Sequence, residues 1–212
     1  VTLRGPVRRK SHRWGWETIF VFLGTNSWHE FTQNNRLEKW TGSSQSGGEL
    51  FIQARANQRL DRSAFLPHEI THLIIQRFIG DVPLWLNEGI AEFEGHRQRA
   101  IYLRTHSPGK FVGLVANVVP RDELIPLSEL TGFVDYLDDE TKTKTFYLES
   151  ELLVRYLIVK CGGNEPFLEF LKFHSQGLRF SSALRKSYGD RFENIEVFEE
   201  EFAKYASKGK PD

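Results

Sequence analysis

Two periodicities alternate along the chain. Thr18-Ile19-Phe20-Val21-Phe22-Leu23 is a β-branched and aromatic run that stops at Gly24, and it predicts a buried strand. Glu49-Leu50-Phe51-Ile52-Gln53-Ala54 predicts a second strand. Between them, Ser27 to Trp40 spaces Trp28, Phe31, Leu37 and Trp40 among polar residues, as an amphipathic helix does, before a Ser/Gly-rich loop from Thr41 to Gly48. From Ser63 to Ile79 the apolar spacing is helical. Pro67 is tolerated there because it falls in the first turn, and Gly80 is placed to end the helix. Pro83 then opens a second helix, Leu84 to about Gly95.

Residues 96 to 145 carry Pro108, Gly109, Gly113, Pro120, Pro126 and Gly132 and read as a turn-rich stretch. The helical period returns from Phe146 to Lys160, where Leu148, Leu152, Tyr156 and Val159 recur every three to four residues. Three shorter helices are expected at about Pro166 to His174, Ser181 to Ser187 and Asn194 to Ala206. The expected organisation is an N-terminal extension over 1–17, one domain over 18–206 and a polar tail over 207–212.

Composition narrows the function classes. With 212 residues, 40% of them hydrophobic, the chain can bury one sizeable core. Lys plus Arg number 28 and Asp plus Glu number 28, so no whole-chain field draws nucleic acid or an anionic membrane. The basic and aromatic stretch Arg4 to Trp16 is expected to be a solvated terminus rather than a nucleic-acid arm. No apolar run approaches a membrane span. Cys161, the single cysteine, is expected to act as a small apolar residue near a helix end.

The chemistry concentrates in His68-Glu69-Ile70-Thr71-His72. A spacing of four puts both imidazoles on one helical face, one turn apart, where both reach a single ion. Glu69 stands slightly off that face, placed to take a proton from metal-bound water as general base rather than to ligate. Such a pattern arises by chance in about one shuffled sequence in fifty of this composition, so its surroundings decide. Leu66 before it and Leu73-Ile74-Ile75 after it mark a buried helix, and buried ionisable groups are costly unless paired or metal-bound.

A catalytic metal needs a third protein ligand and an open fourth position. From His72 to Gly80 a helix travels about 12 Å, residues 81 to 84 return roughly 10 Å if extended, and four helical residues add about 6 Å. Glu88 therefore comes back level with the ion. Glu92, one turn further on, overshoots it and is expected to accept a hydrogen bond from a ligand histidine. His12, His29 and His174 sit in polar or amphipathic surroundings and read as ordinary residues, whereas His96 and His106 follow the second helix closely enough to line a cleft.

The pair His68-Glu69-Ile70-Thr71-His72 and Trp85-Leu86-Asn87-Glu88-Gly89-Ile90-Ala91-Glu92 resembles the gluzincin metallopeptidases, most closely the bacterial peptidase MA-like domains. The resemblance extends to Ile125-Pro126-Leu127-Ser128-Glu129-Leu130 and to Tyr147-Leu148-Glu149-Ser150 through Tyr156-Leu157. It implies a zincin-like α+β fold: a small mixed sheet, a metal helix, a glutamate helix and a helical C-terminal part. It also implies zinc (Zn2+) held by His68, His72 and Glu88, with Glu69 as base, and an extracytoplasmic setting. Tyr147 matches a tyrosine that in related gluzincins hydrogen-bonds the oxyanion, although a core aromatic on an amphipathic helix fits that position equally well. Two features depart from the aminopeptidase-type relatives: only 15 residues separate His72 from Glu88, and no GxMEN element is present. The metzincin pattern fails because its third histidine falls on Phe78.

The expected activity is zinc-dependent hydrolysis of peptide bonds in a peptide or protein substrate, with Glu49 to Ala54 offering a sheet edge for an extended peptide. The alternative is a peptidase-like module that binds peptides without turnover. An intact Glu69 speaks against it.

Overall fold

In the computed structural model, the described residues are 18–37, 42–46, 49–54, 64–106, 118–135 and 139–208. The basic N-terminal stretch, His12, Gly47, Gly48 and the tail beyond Lys208 lie outside them. The described residues are α+β and mostly helical, with one three-stranded sheet. The chain divides into two compact units, residues 1–56 and 57–212, so the boundary falls within the stretch expected to form one domain.

The first unit contains β1 (Thr18–Phe22), α1 (Thr25–Asn34), β2 (Ser43–Ser46) and β3 (Glu49–Gln53). The sheet is mixed: β3 runs parallel to β1, with Phe20 opposite Phe51, and antiparallel to β2, with Gln45 opposite Leu50. Its order, β1-β3-β2, corrects two expectations. β3 is paired on both sides and offers no edge to a peptide. Among the described residues β1 is one of the two edge strands, and Ile19, Phe20 and Val21 are exposed rather than buried. A continuous apolar run signals a buried strand only when both faces are covered. The unit's packing is aromatic, with the Phe31 ring 4.7 Å from Phe51 and 4.9 Å from Phe22, and Trp28 buried beside them.

The second unit is helical. α2 (Phe65–Phe78) ends where Gly80, at φ 97°, returns its amide to the carbonyl of Ile75 at 2.9 Å, a turn that only glycine enters freely. α3 (Leu84–His106) runs well past Gly95. After the described residues resume at 118, a single 3-10 turn (Arg121–Glu123) and the short α4 (Leu127–Leu130) lead to α5 (Glu140–Arg155). Asp139 caps α5, its carboxylate accepting from the amides of Thr141 and Lys142 at 2.8 and 3.0 Å. α5 continues into a wide π turn (Tyr156–Lys160), then α6 (Asn164–Ser175), α7 (Phe180–Tyr188) and α8 (Ile195–Lys208). That π turn rotates the helix face, which is why Val159, expected on the apolar stripe, is exposed.

The core of this unit gathers Trp85 and Leu86 of α3, Leu153 and Leu157 of the α5 segment, Phe170 of α6 and Phe198 of α8, all fully buried. α3 packs most extensively against α5 and next against α2. Among the described residues, no helix is long and apolar enough to cross a membrane.

Candidate metal centre

α2 and α3 bring His68, His72 and Glu88 together. Nε2 of His72 lies 3.0 Å from Nε2 of His68, and Oε2 of Glu88 lies 3.5 and 3.6 Å from those two nitrogens. Glu88 is 2% exposed, and both imidazoles are largely covered. The other face of each ring is occupied. Nδ1 of His72 lies 3.1 Å from Oδ1 of Asn87, and Nδ1 of His68 lies 3.3 Å from Oε1 of Glu92.

These outer partners dictate the tautomers. An amide oxygen and a carboxylate accept hydrogen bonds and have no proton to give, so each Nδ1 carries the hydrogen. In the neutral rings both Nε2 atoms then present lone pairs, and the Glu88 oxygen adds a third. Three converging lone pairs repel unless a cation sits among them. The same attraction for positive charge acts on His72. Burial alone would lower its pKa, but the hydrogen bond and charge of Glu88, then Asn87 and the charge of Glu69, raise it above the ordinary histidine range.

The triangle also has the size a metal requires. Two ligands on a tetrahedral ion with bonds of about 2.0–2.1 Å stand roughly 3.3–3.4 Å apart. The observed sides are 3.0, 3.5 and 3.6 Å. A point about 2.05 Å from all three atoms lies about 0.6 Å out of their plane, against roughly 0.7 Å for a regular tetrahedron. The residues present fit such an ion without rearrangement.

Glu69, between the histidines on α2, is buried and contributes its charge at His72. Tyr147 is half-buried on α5 and packs against the helical core, its ring 5.8 Å from that of Phe146. His106 ends α3 exposed, stacked on Tyr102 at 4.5 Å. His29 pairs with Gln33 on the exposed side of α1. His174 is buried among Trp85, Phe170 and Phe180, and burial pushes its pKa down to about 4. Cys161 is buried as expected.

Asn87, Glu151 and Arg155 enter the site's surroundings with no role expected from sequence, and His96, expected to line a cleft, joins them. Asn87 holds His72. Beyond Glu92, His96 places Nε2 3.8 Å from Oε2 of Glu92 and Nδ1 2.9 Å from Oε2 of Glu151, while Arg155 donates to Oε1 of Glu151 at 2.6 Å. One sequence signal was available, since Glu88, Glu92 and His96 recur every four residues on one face of α3. Glu151 is less visible, a third polar residue after Glu149 and Ser150 between the apolar runs Phe146 to Leu148 and Leu152 to Val154.

No protein-family model matches the chain, and no curated protein matches its sequence.

Proposed function

We propose that the helical unit is a zinc-dependent peptidase centre of the gluzincin type, in a zincin-like arrangement of metal helix and glutamate helix. One observation carries the reading. Two imidazoles, each with Nδ1 committed to an oxygen acceptor, turn their Nε2 atoms onto one oxygen of a buried glutamate at metal-ligand spacing.

In this reading His68, His72 and Glu88 hold the ion, and Glu92 and Asn87 fix the two ring orientations. When bound, zinc supplies a Lewis acid for the scissile carbonyl and lowers the pKa of a coordinated water toward about 7. The carboxylate of Glu69 accepts a proton as the nucleophile attacks and returns it to the leaving amine. Tyr147 is the proposed donor to the oxyanion, on the strength of the resemblance. The substrate would be a peptide or protein that presents its scissile carbonyl to an ion held by His68, His72 and Glu88.

The test pairs metal analysis with a peptide-library digest. The parent chain is expected to bind one zinc and to cleave peptides, and Glu69→Gln to keep the zinc and lose cleavage, because the amide is nearly isosteric but takes no proton. Loss of zinc in Glu69→Gln would make Glu69 a ligand and overturn its role. A parent that binds zinc yet cleaves nothing in the library would favour a peptide-binding module.

A further inference from the structure

The polar chain that begins at His68 does not stop at Glu92. It crosses from α3 to α5, which supplies none of the three metal-facing residues. Glu92 uses one carboxylate oxygen on Nδ1 of His68 and turns the other toward Nε2 of His96. Nδ1 of His96 meets Glu151, whose second oxygen takes the guanidinium of Arg155. Arg155 lies 5.4 Å over the ring of Phe93, which ties it back to α3.

Glu92, His96 and Glu151 could also be read as a second metal site, since one ligand atom from each lies within 4.8 Å of the others. The detailed geometry argues otherwise. His96 faces one carboxylate with each ring nitrogen, and a ring gives a metal only one of them. Glu151, 2% exposed, is already matched by two donors. In the first cluster the two ring Nε2 atoms converge on one oxygen, whereas here the contacts run in a line. Written outward from the ligand, the charges alternate: Glu92 negative, His96 positive, Glu151 negative, Arg155 positive. A ring between two carboxylates satisfies both only as the doubly protonated cation. The pKa of His96 is raised accordingly, first by its hydrogen bond to Glu151; burial opposes this, and the charges of Glu151 and Glu92 add to it against Arg155.

We propose that His96, Glu151 and Arg155 form an outer brace that holds the Glu92 carboxylate against Nδ1 of His68, so that α5 sets the metal affinity of a site whose ligands lie on α2 and α3. These three are positioning residues. The inference rests on the zinc reading above. Through Glu92, the brace keeps Nε2 of His68 aimed at the ion and fixes the ring's tautomer, which raises its basicity as a ligand.

The experiment uses the full chain and three readouts: zinc affinity by chelator competition, the visible spectrum of the cobalt-loaded protein, and metal-free thermal unfolding. Glu151→Gln is expected to weaken zinc binding about 10-fold, the lower end of what loss of an outer partner costs, and to shift the cobalt bands. Arg155→Lys keeps a cation beside Glu151 and should retain most of the parent affinity, whereas Arg155→Ala should not. His96→Gln, at a position a quarter exposed, repeats the test where refolding problems are smallest, and affinities are compared at a temperature where every metal-free variant is folded.

Unchanged zinc affinity and cobalt spectrum in Glu151→Gln and His96→Gln would overturn the brace while leaving the zinc reading intact. Two zinc equivalents in the parent, with one lost in Glu151→Gln, would overturn it in favour of a second metal site. A parent that binds no zinc overturns the zinc reading itself, and the brace with it, before any variant is made.

Discussion

Replacing Gly89 by alanine separates packing from helix propensity by the sign of its effect. Gly89 lies inside α3, next to Glu88, and for an isolated helix alanine would be the better residue by about 1 kcal/mol. At this position the added methyl has nowhere to go. A Cβ would stand 2.5 Å from the carbonyl oxygen of Ser150, 2.8 Å from its carbonyl carbon and 2.9 Å from Cγ2 of Val154. Two of those three atoms are α5 backbone and cannot swing aside, so α5 must move away from α3 as a body. Overpacking a filled core costs about 1–3 kcal/mol, and backbone against backbone belongs at the upper end.

After the propensity gain is set against it, a net loss of about 1–2 kcal/mol remains, which lowers the Tm of a chain this size by roughly 2–8 °C. Far-UV circular dichroism of the metal-free protein reads it. Gly80→Ala tests a different cost. Among the described residues, its chain neighbours aside, no heavy atom lies within 4 Å of its Cβ position, and the penalty there is the positive φ of 97°. A Tm that is unchanged or raised in Gly89→Ala would refute the close approach of α3 to α5.

Three further outcomes follow from named groups. Burial pushes the Glu149 carboxyl up to about 7, against one backbone hydrogen bond from Ile125 and with the charge of Glu199 raising it further. A folded-state pKa above the unfolded one gives stability that is full below about pH 4.5 and is lost as pH rises through about 7, up to about 3 kcal/mol. Glu149→Gln should flatten that loss in urea unfolding between pH 5 and 8, and parallel curves for parent and variant would contradict it. Glu88→Ala should cost far more zinc affinity than Glu92→Ala, because Glu88 faces both Nε2 atoms and Glu92 only an Nδ1; equal losses by chelator competition would reverse the two roles. Burial also pushes the Cys161 thiol up to about 11, so iodoacetamide at pH 8 should label it far more slowly than a free thiol until denaturant is added, as mass spectrometry can follow.

What sequence made legible was chemistry confined to a short stretch. His68 to Glu88 is one helix, a glycine-stopped turn and the start of another, and simple rise-per-residue arithmetic brings their side chains together. Longer-range features were less visible. Gly95 looked like a stop, yet α3 continues to His106 because the glycine serves close packing: a Cβ there would meet the carbonyl oxygen of Ala64 at 2.7 Å. The apolar period marks α5 only from Phe146, whereas the helix starts at Glu140, where Asp139 is a capping residue. The run at 18–22 signals a strand but not its exposure, since which strand is an edge depends on pairing partners and not on the run itself.

The hardest part to read was the division of labour on α5. Glu149 and Glu151 are two residues apart and equally buried, at 1% and 2% exposure, yet they titrate in opposite directions. A two-residue step turns a helix by about 200°, so the two side chains leave on opposite sides. Glu149 is directed to the amide of Ile125, near Glu199, where burial dominates and the acid form is favoured. Glu151 suffers comparable desolvation, its largest single influence, but the hydrogen bonds and charges of His96 and Arg155 together outweigh it and hold the pKa below the usual carboxylate range. Near pH 7 Glu149 is therefore divided between its acid and ionised forms, whereas Glu151, linked to His68 through His96 and Glu92, is held ionised, as the proposed brace requires. A carboxylate that has to stay ionised beside the proposed metal site must be matched by cations from its own helix and its neighbour. In the proposed centre Arg155, four residues along α5 from Glu151 and paired with it, supports the site from outside as Glu92 does from within.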